Sequence, residues 1–286
     1  MTTDEREGRA RRADAEAVSA PDDATRARGG SIFVEKRGAL LFVRLDRPAK
    51  RNALNRAMLE RLREIFSGAR ERSDLRAVIL TGAGREAFCA GTDIAELEGL
   101  DEDGARETAR RGQEVCDAIE LCNLPVIAAV SGAAAGGGCE LALACHLRVA
   151  ARGATLSLPE TKLGVLPAYG GTQRLARALG AGRALAAMLA GDSLSAEEAL
   201  RLGVVNRVAE PDRLMAEAES LAAAVSEHAP LAVRACLEAV TRGARLPLSE
   251  GLALEAELFA RLFATEDVRE GTRAFLEKRA PDFRGR

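Results

Sequence analysis

The chain has 286 residues, of which 47% are hydrophobic and 29% are charged, and its formal net charge at pH 7 is −2. This composition is typical of a globular protein with one large domain, or with a core and a small accessory part. The slight negative charge provides no overall basic field, which argues against nucleic acid as a partner.

The cysteines, the histidines and the N-terminus bear on metals and on the compartment. None of the six cysteines forms a CxxC pair and only two histidines are present, so no metal site is predicted. Four of the six cysteines lie in small or apolar surroundings, which predicts reduced core thiols and a cytoplasmic location. Residues 1–29 contain acidic residues and no apolar block, which predicts a disordered tail rather than a targeting signal.

Strands are predicted from short apolar runs that are rich in Val, Ile or Leu and bounded by Gly, Pro or charge. Most of these runs lie in the first half of the chain. The predicted strands are Ile32–Glu35, Leu40–Leu45, Ala77–Leu80, Val126–Val130, Leu147–Ala150 and Val204–Val208.

Helical patterns separate these runs and dominate the second half of the chain. A capping box at Ser195 and Glu198 begins a helix that Gly203 ends. Strands that alternate with helices predict an α/β fold with parallel pairing, in a core at 30–200 that a helical region follows at 201–286. The other predicted helices are Asn55–Arg72, Gly104–Cys122, Cys139–Cys145, Asp212–Glu227, Leu231–Arg242 and Leu248–Phe263.

Three consecutive glycines, Gly136 to Gly138, lie at the start of a predicted helix. A helix start has free N–H groups and partial positive charge, and glycine lets a ligand approach the backbone closely. The stretch fits neither the phosphate loop GxxxxGK[ST] nor the dinucleotide fingerprint GxGxxG. Two interpretations stay open: an oxyanion site, and close helix packing that needs small residues. The glycines and the adjacent charge also argue against a membrane span at Val126–Leu147, so no membrane partner is predicted.

Two glutamates are candidates for proton transfer. Glu140 lies on the first helical turn, where the dipole favours its anion while apolar neighbours raise its pKa; a solvated cap is the alternative. Glu160 follows 20 residues later, begins a predicted short helix and precedes a glycine-rich turn, Tyr169 to Gly171. Two carboxylates can divide acid and base roles if the fold brings them together.

A further glycine-rich loop, Cys89 to Thr92, follows a predicted strand, and a helix is predicted to begin near Asp93. Backbone donors in this loop would complete a two-donor oxyanion site with those near the three glycines. The alternative is an ordinary strand–helix loop with Asp93 as its cap.

Five stretches of the chain together resemble the crotonase family, also called the enoyl-CoA hydratase/isomerase superfamily. The resemblance covers most of the chain, from about residue 32 to the end. The stretches are LDRPAKRNALN (45–55), AFCAGTDIAEL (87–97), IAAVSGAAAGGGCELALAC (127–145), LPETKLGVLPAYGGTQRL (158–175) and EGTRAFLEKRAPDF (270–283).

The resemblance implies a spiral of ββα turns, a helical C-terminal trimerisation region, and trimers or hexamers built from two trimers. It implies an acyl-CoA thioester substrate and no cofactor other than the coenzyme A that the substrate contains. By motif, the N–H groups of Thr92 and Gly137 hold the thioester oxygen. Glu160 then transfers a proton at Cα, and Glu140 together with Glu160 positions and activates a water molecule.

Contacts with coenzyme A are also implied by the resemblance. Lys50 or Arg51 lies near the phosphates. The other implied binding residues are Ala53, Ala90, Asp93 and Ile94 around the adenine and pantetheine, Gly136, Ala168 and Tyr169 near the acyl group, and Phe275 and Lys278, where a neighbouring subunit often contributes.

Three positions depart from the pattern of the family. Ala95 stands where many relatives have a lysine, so one phosphate contact is missing or comes from elsewhere. His146 replaces an aspartate and is interpreted as a structural histidine. Tyr169 replaces a small residue; we hypothesise that it shortens or polarises the acyl pocket, and the alternative is a ring turned to solvent.

The predicted activity is the reversible syn addition of water to 2-enoyl-CoA, because both glutamates are present. The enzymatic alternatives are enoyl-CoA isomerisation and methylglutaconyl-CoA hydration. The non-enzymatic alternative is an inactive or RNA-binding protein of the same fold.

Overall fold

Two β-sheets are formed by the strands of the computed structural model, which describes residues 31–286. The predicted tail at 1–29 lies outside the described residues. The strands are β1 (Ser31–Arg37), β2 (Leu40–Asp46), β3 (Ala77–Gly82), β4 (Ala87–Cys89), β5 (Val126–Val130), β6 (Ala133–Ala135), β7 (Leu147–Ala151), β8 (Thr155–Ser157), β9 (Leu194–Ser195) and β10 (Arg207–Ala209).

Helices connect and cover the strands, and short 3₁₀ turns lie at Pro48–Lys50, Ile94–Glu96 and Glu160–Leu163. The α-helices of the described residues are α1 (Arg56–Ala69), α2 (Glu102–Glu120), α3 (Gly137–Ala144), α4 (Gly171–Leu179), α5 (Ala181–Ala190), α6 (Ala196–Arg201), α7 (Leu214–Ser226), α8 (Pro230–Gly243), α9 (Leu248–Leu262) and α10 (Glu266–Glu277).

The chain alternates between the two sheets. The larger sheet has the order β1-β2-β3-β5-β7-β10 and the smaller has the order β4-β6-β8-β9. The units β3–β4–α2 and β5–β6–α3 each place one strand in each sheet before a helix, which confirms the predicted α/β fold with ββα turns. Because β4, β6 and β8 are parallel neighbours, the loops that follow them leave the same edge of the smaller sheet.

Burial explains why the central elements were predictable. Every residue of β5 is buried, as expected for a parallel strand covered on both faces, and its bounds agree with the prediction. The apolar face of α1 is buried too, and the side chain of Asn55 accepts a hydrogen bond from the Met58 N–H at the start of the helix.

One predicted strand and one predicted helix differ from the elements observed. The strand predicted at Val204–Val208 begins only at Arg207, because the N–H groups of Val204 and Val205 both donate to the carbonyl of Ala199 at the end of α6. The helix predicted near Asp93 is a single 3₁₀ turn, whose Ala95 N–H donates to the Asp93 side chain.

None of the helices described between residues 31 and 286 combines the length and the apolar character that crossing a bilayer requires.

Helix α7 packs against β3, β5 and β7, whereas α8 and α9 pack mainly against each other. All six cysteines are unpaired and five are buried, one more than the four that were predicted to lie in core surroundings.

Candidate active site

The site is built where β6 turns into α3. Gly136 has φ +51° and ψ −127°, a conformation that side-chain-bearing residues rarely adopt, and α3 begins at Gly137, two residues before the predicted start. Glu140 lies on the first turn, and its N–H donates to the carbonyl of Gly136 at 3.0 Å. This sharp turn directs the first N–H groups of α3 towards the loops that follow β4 and β8.

The Glu140 carboxyl is buried, with a relative exposure of 1%. Its Oε1 accepts hydrogen bonds from the N–H groups of Tyr169 at 2.8 Å and Gly171 at 2.6 Å. The pKa of Glu140 is raised to about 7, mainly by burial and also by the nearby charge of Glu160, although the two N–H donors oppose the rise. The predicted effect of apolar surroundings on the pKa of Glu140 is confirmed, and a solvated cap is wrong. The groups that oppose it are the N–H groups of Tyr169 and Gly171, whereas the predicted effect of the helix dipole stays a prediction.

Glu160 approaches the same turn from the loop after β8. A Cβ built on Gly136 would lie 2.9 Å from Oε1 of Glu160, so this carboxyl lies directly against the start of α3. Its Oε2 is buried and has no hydrogen-bond partner within residues 31–286. Burial raises the pKa of Glu160 above its usual value. The fold therefore brings the two glutamates to one place, which their spacing alone did not establish.

The loop after β4 completes this side of the site. The Leu54 N–H donates to the Gly91 carbonyl at 2.7 Å, and the Asp93 N–H donates to the Leu54 carbonyl at 2.8 Å. This bridge directs the backbone N–H of Thr92 away from Leu54. A Cβ on Gly91 would lie 3.2 Å from the Gly137 nitrogen, so the loop lies against the first turn of α3.

Two backbone donors are left without partners by this arrangement. Neither the Thr92 N–H nor the Gly137 N–H donates a hydrogen bond to any described residue. Gly137 is free because the first turn of a helix has no earlier carbonyl to bond. Two free N–H groups next to the buried Glu140 and the half-buried Glu160 can hold an oxyanion and exchange protons beside it.

Tyr169 lies between these parts and is buried, with a relative exposure of 3%. The Thr92 hydroxyl donates to its phenol oxygen at 2.8 Å, and burial raises the pKa of Tyr169 to about 12. A Cβ on Gly137 would lie 3.0 Å from Cε2 of the ring. The alternative of a ring turned to solvent is wrong.

The residues that the resemblance assigned to coenzyme A have different surroundings. Asp93 is engaged by Arg47 Nη1 at 2.6 Å, which lowers the pKa of the Asp93 carboxyl. The Ala168 carbonyl accepts from Gln113 at 2.9 Å. Ala53 is buried; the exposed members of the set are Lys50, Arg51, Ala90 and Ile94.

The predicted C-terminal contacts lie elsewhere on this chain. Phe275 lies on α10 and Lys278 follows it in the left-handed conformation, and both are exposed. None of the described hydrogen bonds or ion pairs joins α10 to the loops that contain Thr92, Gly137 or Glu160.

Sequence reasoning missed two residues that support the site. Asn52 is buried with φ +58°, and its side chain donates to the carbonyls of Ala83 and Ala87 at 3.0 Å. The available signal was an asparagine in the turn between the basic pair Lys50–Arg51 and the helix cap Asn55, because asparagine tolerates a positive φ better than most residues. Arg174 was also missed; its Nη1 donates to the Tyr169 carbonyl at 3.0 Å.

His146 has the predicted structural role. Its Nδ1 accepts from the Val126 N–H at 2.9 Å, and its Nε2 lies 3.0 Å from the Glu120 carbonyl. Burial lowers the pKa of His146, so the neutral ring holds the start of β5 and the end of α2. No cluster of three or more His, Cys, Asp or Glu side chains that could hold a metal occurs in the described part of the chain.

Comparison with known proteins places this geometry in a family. A sequence profile described as Enoyl-CoA hydratase/isomerase matches residues 35–286. The chain belongs to the enoyl-CoA hydratase/isomerase family. This family member is 40% identical over 249 residues to the short-chain-enoyl-CoA hydratase of Clostridium acetobutylicum, covering 87% of this chain and 95% of the relative.

Two further comparisons support the same membership in the enoyl-CoA hydratase/isomerase family. The 2,3-dehydroadipyl-CoA hydratase of Escherichia coli is 40% identical over 255 residues, covering 89% of this chain and 99% of the relative. The crystal structure of an enoyl-CoA hydratase from Bacillus anthracis has a TM-score of 0.85 and 38% identity, covering 91% of this chain and all of that one (100%).

Proposed function

We propose that the chain catalyses the reversible hydration of 2-enoyl-CoA thioesters to 3-hydroxyacyl-CoA. The observation that carries the proposal is the convergence of two carboxyl groups with raised pKa, the buried Glu140 and the half-buried Glu160, beside two unpartnered backbone N–H groups. The names of the relatives from Clostridium acetobutylicum and Escherichia coli support the same reaction class. The coenzyme A belongs to the substrate, and the chain's own groups supply the chemistry.

The N–H groups of Thr92 and Gly137 receive the thioester oxygen in this proposal. Addition of water at Cβ moves negative charge onto that oxygen, and the two donors stabilise it as it forms. Removal of one such donor typically costs about 3 kcal/mol of transition-state stabilisation. Neither donor needs a side chain, so position 92 requires only its N–H.

The two glutamates share the proton transfers. Ionised Glu140 accepts a proton from the water whose oxygen bonds to Cβ, while Glu160 transfers its proton to Cα. The pair begins and ends the cycle with one proton, which returns from Glu140 to Glu160. Glu140 suits the first role because Oε1 is held by two N–H groups, and Glu160 suits the second because its buried Oε2 has no protein partner.

The proposal also covers the binding of coenzyme A and the oligomeric state of the chain. Lys50 and Arg51 are exposed cations next to the loop that contains Ala53, and they are available to the phosphates. We propose a trimer, alone or paired as a hexamer, in which Phe275 and Lys278 reach a neighbouring site. Exposed apolar side chains on the C-terminal helices favour such a contact: Val240, Leu248, Leu252, Phe259, Phe263, Phe275 and Leu276.

The test follows the loss of enoyl absorbance of crotonyl-CoA and longer enoyl-CoAs in heavy water. Wild type is expected to give 3-hydroxyacyl-CoA with deuterium at Cα, and Glu140→Gln and Glu160→Gln are each expected to lose about 100-fold or more in kcat. Glu114→Gln, at an exposed ion pair on α2, is the matched control with near wild-type rates. Absence of hydration by wild type across the panel contradicts the proposal.

A further inference from the structure

Tyr169 contacts two parts of the site, the first turn of α3 and the loop after β4, through three different groups. Its backbone N–H donates to Glu140 Oε1 at 2.8 Å. Its ring lies against Gly137, where a Cβ would be 3.0 Å from Cε2. Its phenol oxygen accepts the Thr92 hydroxyl hydrogen bond at 2.8 Å. One residue of the turn before α4 therefore joins the loop after β4 to the start of α3.

This connection matters because the two free N–H groups lie on separate segments. Thr92 lies on a loop whose neighbours Ala90 and Ile94 are exposed. The hydroxyl of Thr92 forms its one side-chain hydrogen bond among the described residues with Tyr169. Two donors stabilise one oxyanion only when both are held at hydrogen-bond distance from it before the reaction.

Tyr169 is also held by helix α2, through Gly112 and through Arg174. Gly112 on α2 lies so close that a Cβ there would be 1.9 Å from Cδ1 of Tyr169. Arg174 donates to the Tyr169 carbonyl and also forms ion pairs with Asp117 and Glu120 on α2, at 2.8 and 2.6 Å. Tyr169 therefore connects a rigid helix with the Thr92 loop.

We infer that Tyr169 is a positioning residue that aligns the Thr92 and Gly137 N–H groups on one thioester oxygen, an inference that rests on the proposed function. This role is separate from the hypothesis that Tyr169 shortens or polarises the acyl pocket, which stays a prediction, because it depends only on the hydrogen bond that the phenol oxygen accepts from Thr92. It also differs from simple core packing, which a phenylalanine ring would provide equally well.

A double-mutant cycle tests the inference in kinetics. Tyr169→Phe keeps the ring and Thr92→Val keeps the N–H, and each is expected to lower kcat about tenfold with little change in KM. The double variant is expected to be no slower than either single variant, because both remove the same bond. Thr92→Ser, which keeps a hydroxyl, is expected to lose less than Thr92→Val.

The control for a lost threonine hydroxyl is Thr81→Val, which removes a 2.8 Å hydrogen bond to the Ala129 carbonyl in the larger sheet. It is expected to lower stability without the loss in kcat. Tyr169 is the only tyrosine of the chain, so the NMR spectrum of ¹³Cζ-tyrosine-labelled protein contains one signal that reports the Thr92–Tyr169 hydrogen bond. This signal is expected to shift in Thr92→Val but not in Thr81→Val.

A readout without turnover separates the inference from the proposed function. Acetoacetyl-CoA forms an enolate that absorbs in the near ultraviolet, and an aligned pair of N–H groups is expected to favour that enolate on the protein. Tyr169→Phe is expected to reduce the bound enolate several-fold. If wild type binds the enolate but does not hydrate, the function fails and the inference stands. Wild-type kcat and enolate binding in Tyr169→Phe would overturn the inference.

Discussion

The ring of Tyr169 and the α-carbon of Gly112 share a space that has no room for a methyl group. A Cβ at Gly112 would lie 1.9 Å from Cδ1 and 2.2 Å from Cε1 of the ring. Gly112 lies on α2, outside the loops that would receive a substrate, and the atoms nearest to an added Cβ all belong to the Tyr169 ring.

Gly112→Ala is therefore expected to displace the Tyr169 ring and lower kcat of enoyl-CoA hydration about tenfold or more, as well as lowering stability. The matched control is Gly68→Ala on α1, where an added Cβ meets nothing within 4 Å. That variant is expected to be neutral or to gain about 0.5–1 kcal/mol in free energy of unfolding. Equal activity of the two variants contradicts the argument.

The buried Glu140 carboxyl makes stability depend on pH. Its folded pKa of about 7 lies above the ordinary value of 4.5. Between these two pH values the folded state holds a proton that the unfolded state has already lost. The stabilisation is full below pH 4.5 and is lost as the pH rises through about 7.

Glu140→Gln removes this titration. Relative to wild type, its free energy of unfolding is expected to rise by on the order of 3 kcal/mol between about pH 4.5 and about pH 8. Chemical denaturation at a series of pH values measures the difference. A difference that does not vary with pH means that Glu140 titrates normally.

The same pKa predicts the alkaline limb of activity. Hydration needs one proton on the glutamate pair, and the pKa of about 7, which the charge of ionised Glu160 helps to raise, marks the loss of that proton. We therefore expect kcat/KM for enoyl-CoA hydration to fall as the pH rises through about 7, approaching about tenfold per pH unit. Full kcat/KM at about pH 9 would contradict the need for a shared proton.

Gly136 is expected to tolerate no side chain. Its φ of +51° is unfavourable for alanine, and the added Cβ would lie 2.9 Å from Glu160 Oε1. Gly136→Ala is expected to lower kcat at least about tenfold because it moves the carboxyl and strains the turn. Gly38→Ala has a similar φ of +57° with nothing within 4 Å, so it should lose stability but keep its rate.

Asp267 holds the C-terminal residues. It is buried on α10, and its two carboxyl oxygens accept the N–H groups of Arg284 and Gly285, both at 2.8 Å. Asp267→Ala is expected to lower the free energy of unfolding by about 1–3 kcal/mol and to speed tryptic release of the last residues. Asp282→Ala, which removes an exposed partner of Arg284, should digest as wild type.

Local pattern predicted the long elements well. The strand at Val126–Val130 has the predicted bounds. Ser195 caps the start of α6 and Gly203 follows its end, as expected. The smaller sheet was not predicted, because β4, β6 and β8 have three residues each and β6 consists of alanine alone. Such short strands exist through pairing with each other rather than through propensity.

The sequence by itself determined the site's parts: a glycine turn before a helix, one glutamate on its first turn, a second glutamate, and a loop with free donors. Only the tertiary structure decided that Glu160 lies against Gly136 and that Tyr169 joins Thr92 to Gly137. The reason is physical. Free N–H groups and helix starts follow from neighbours in the chain, whereas burial, a raised pKa and the proximity of the two carboxyl groups depend on how distant segments pack.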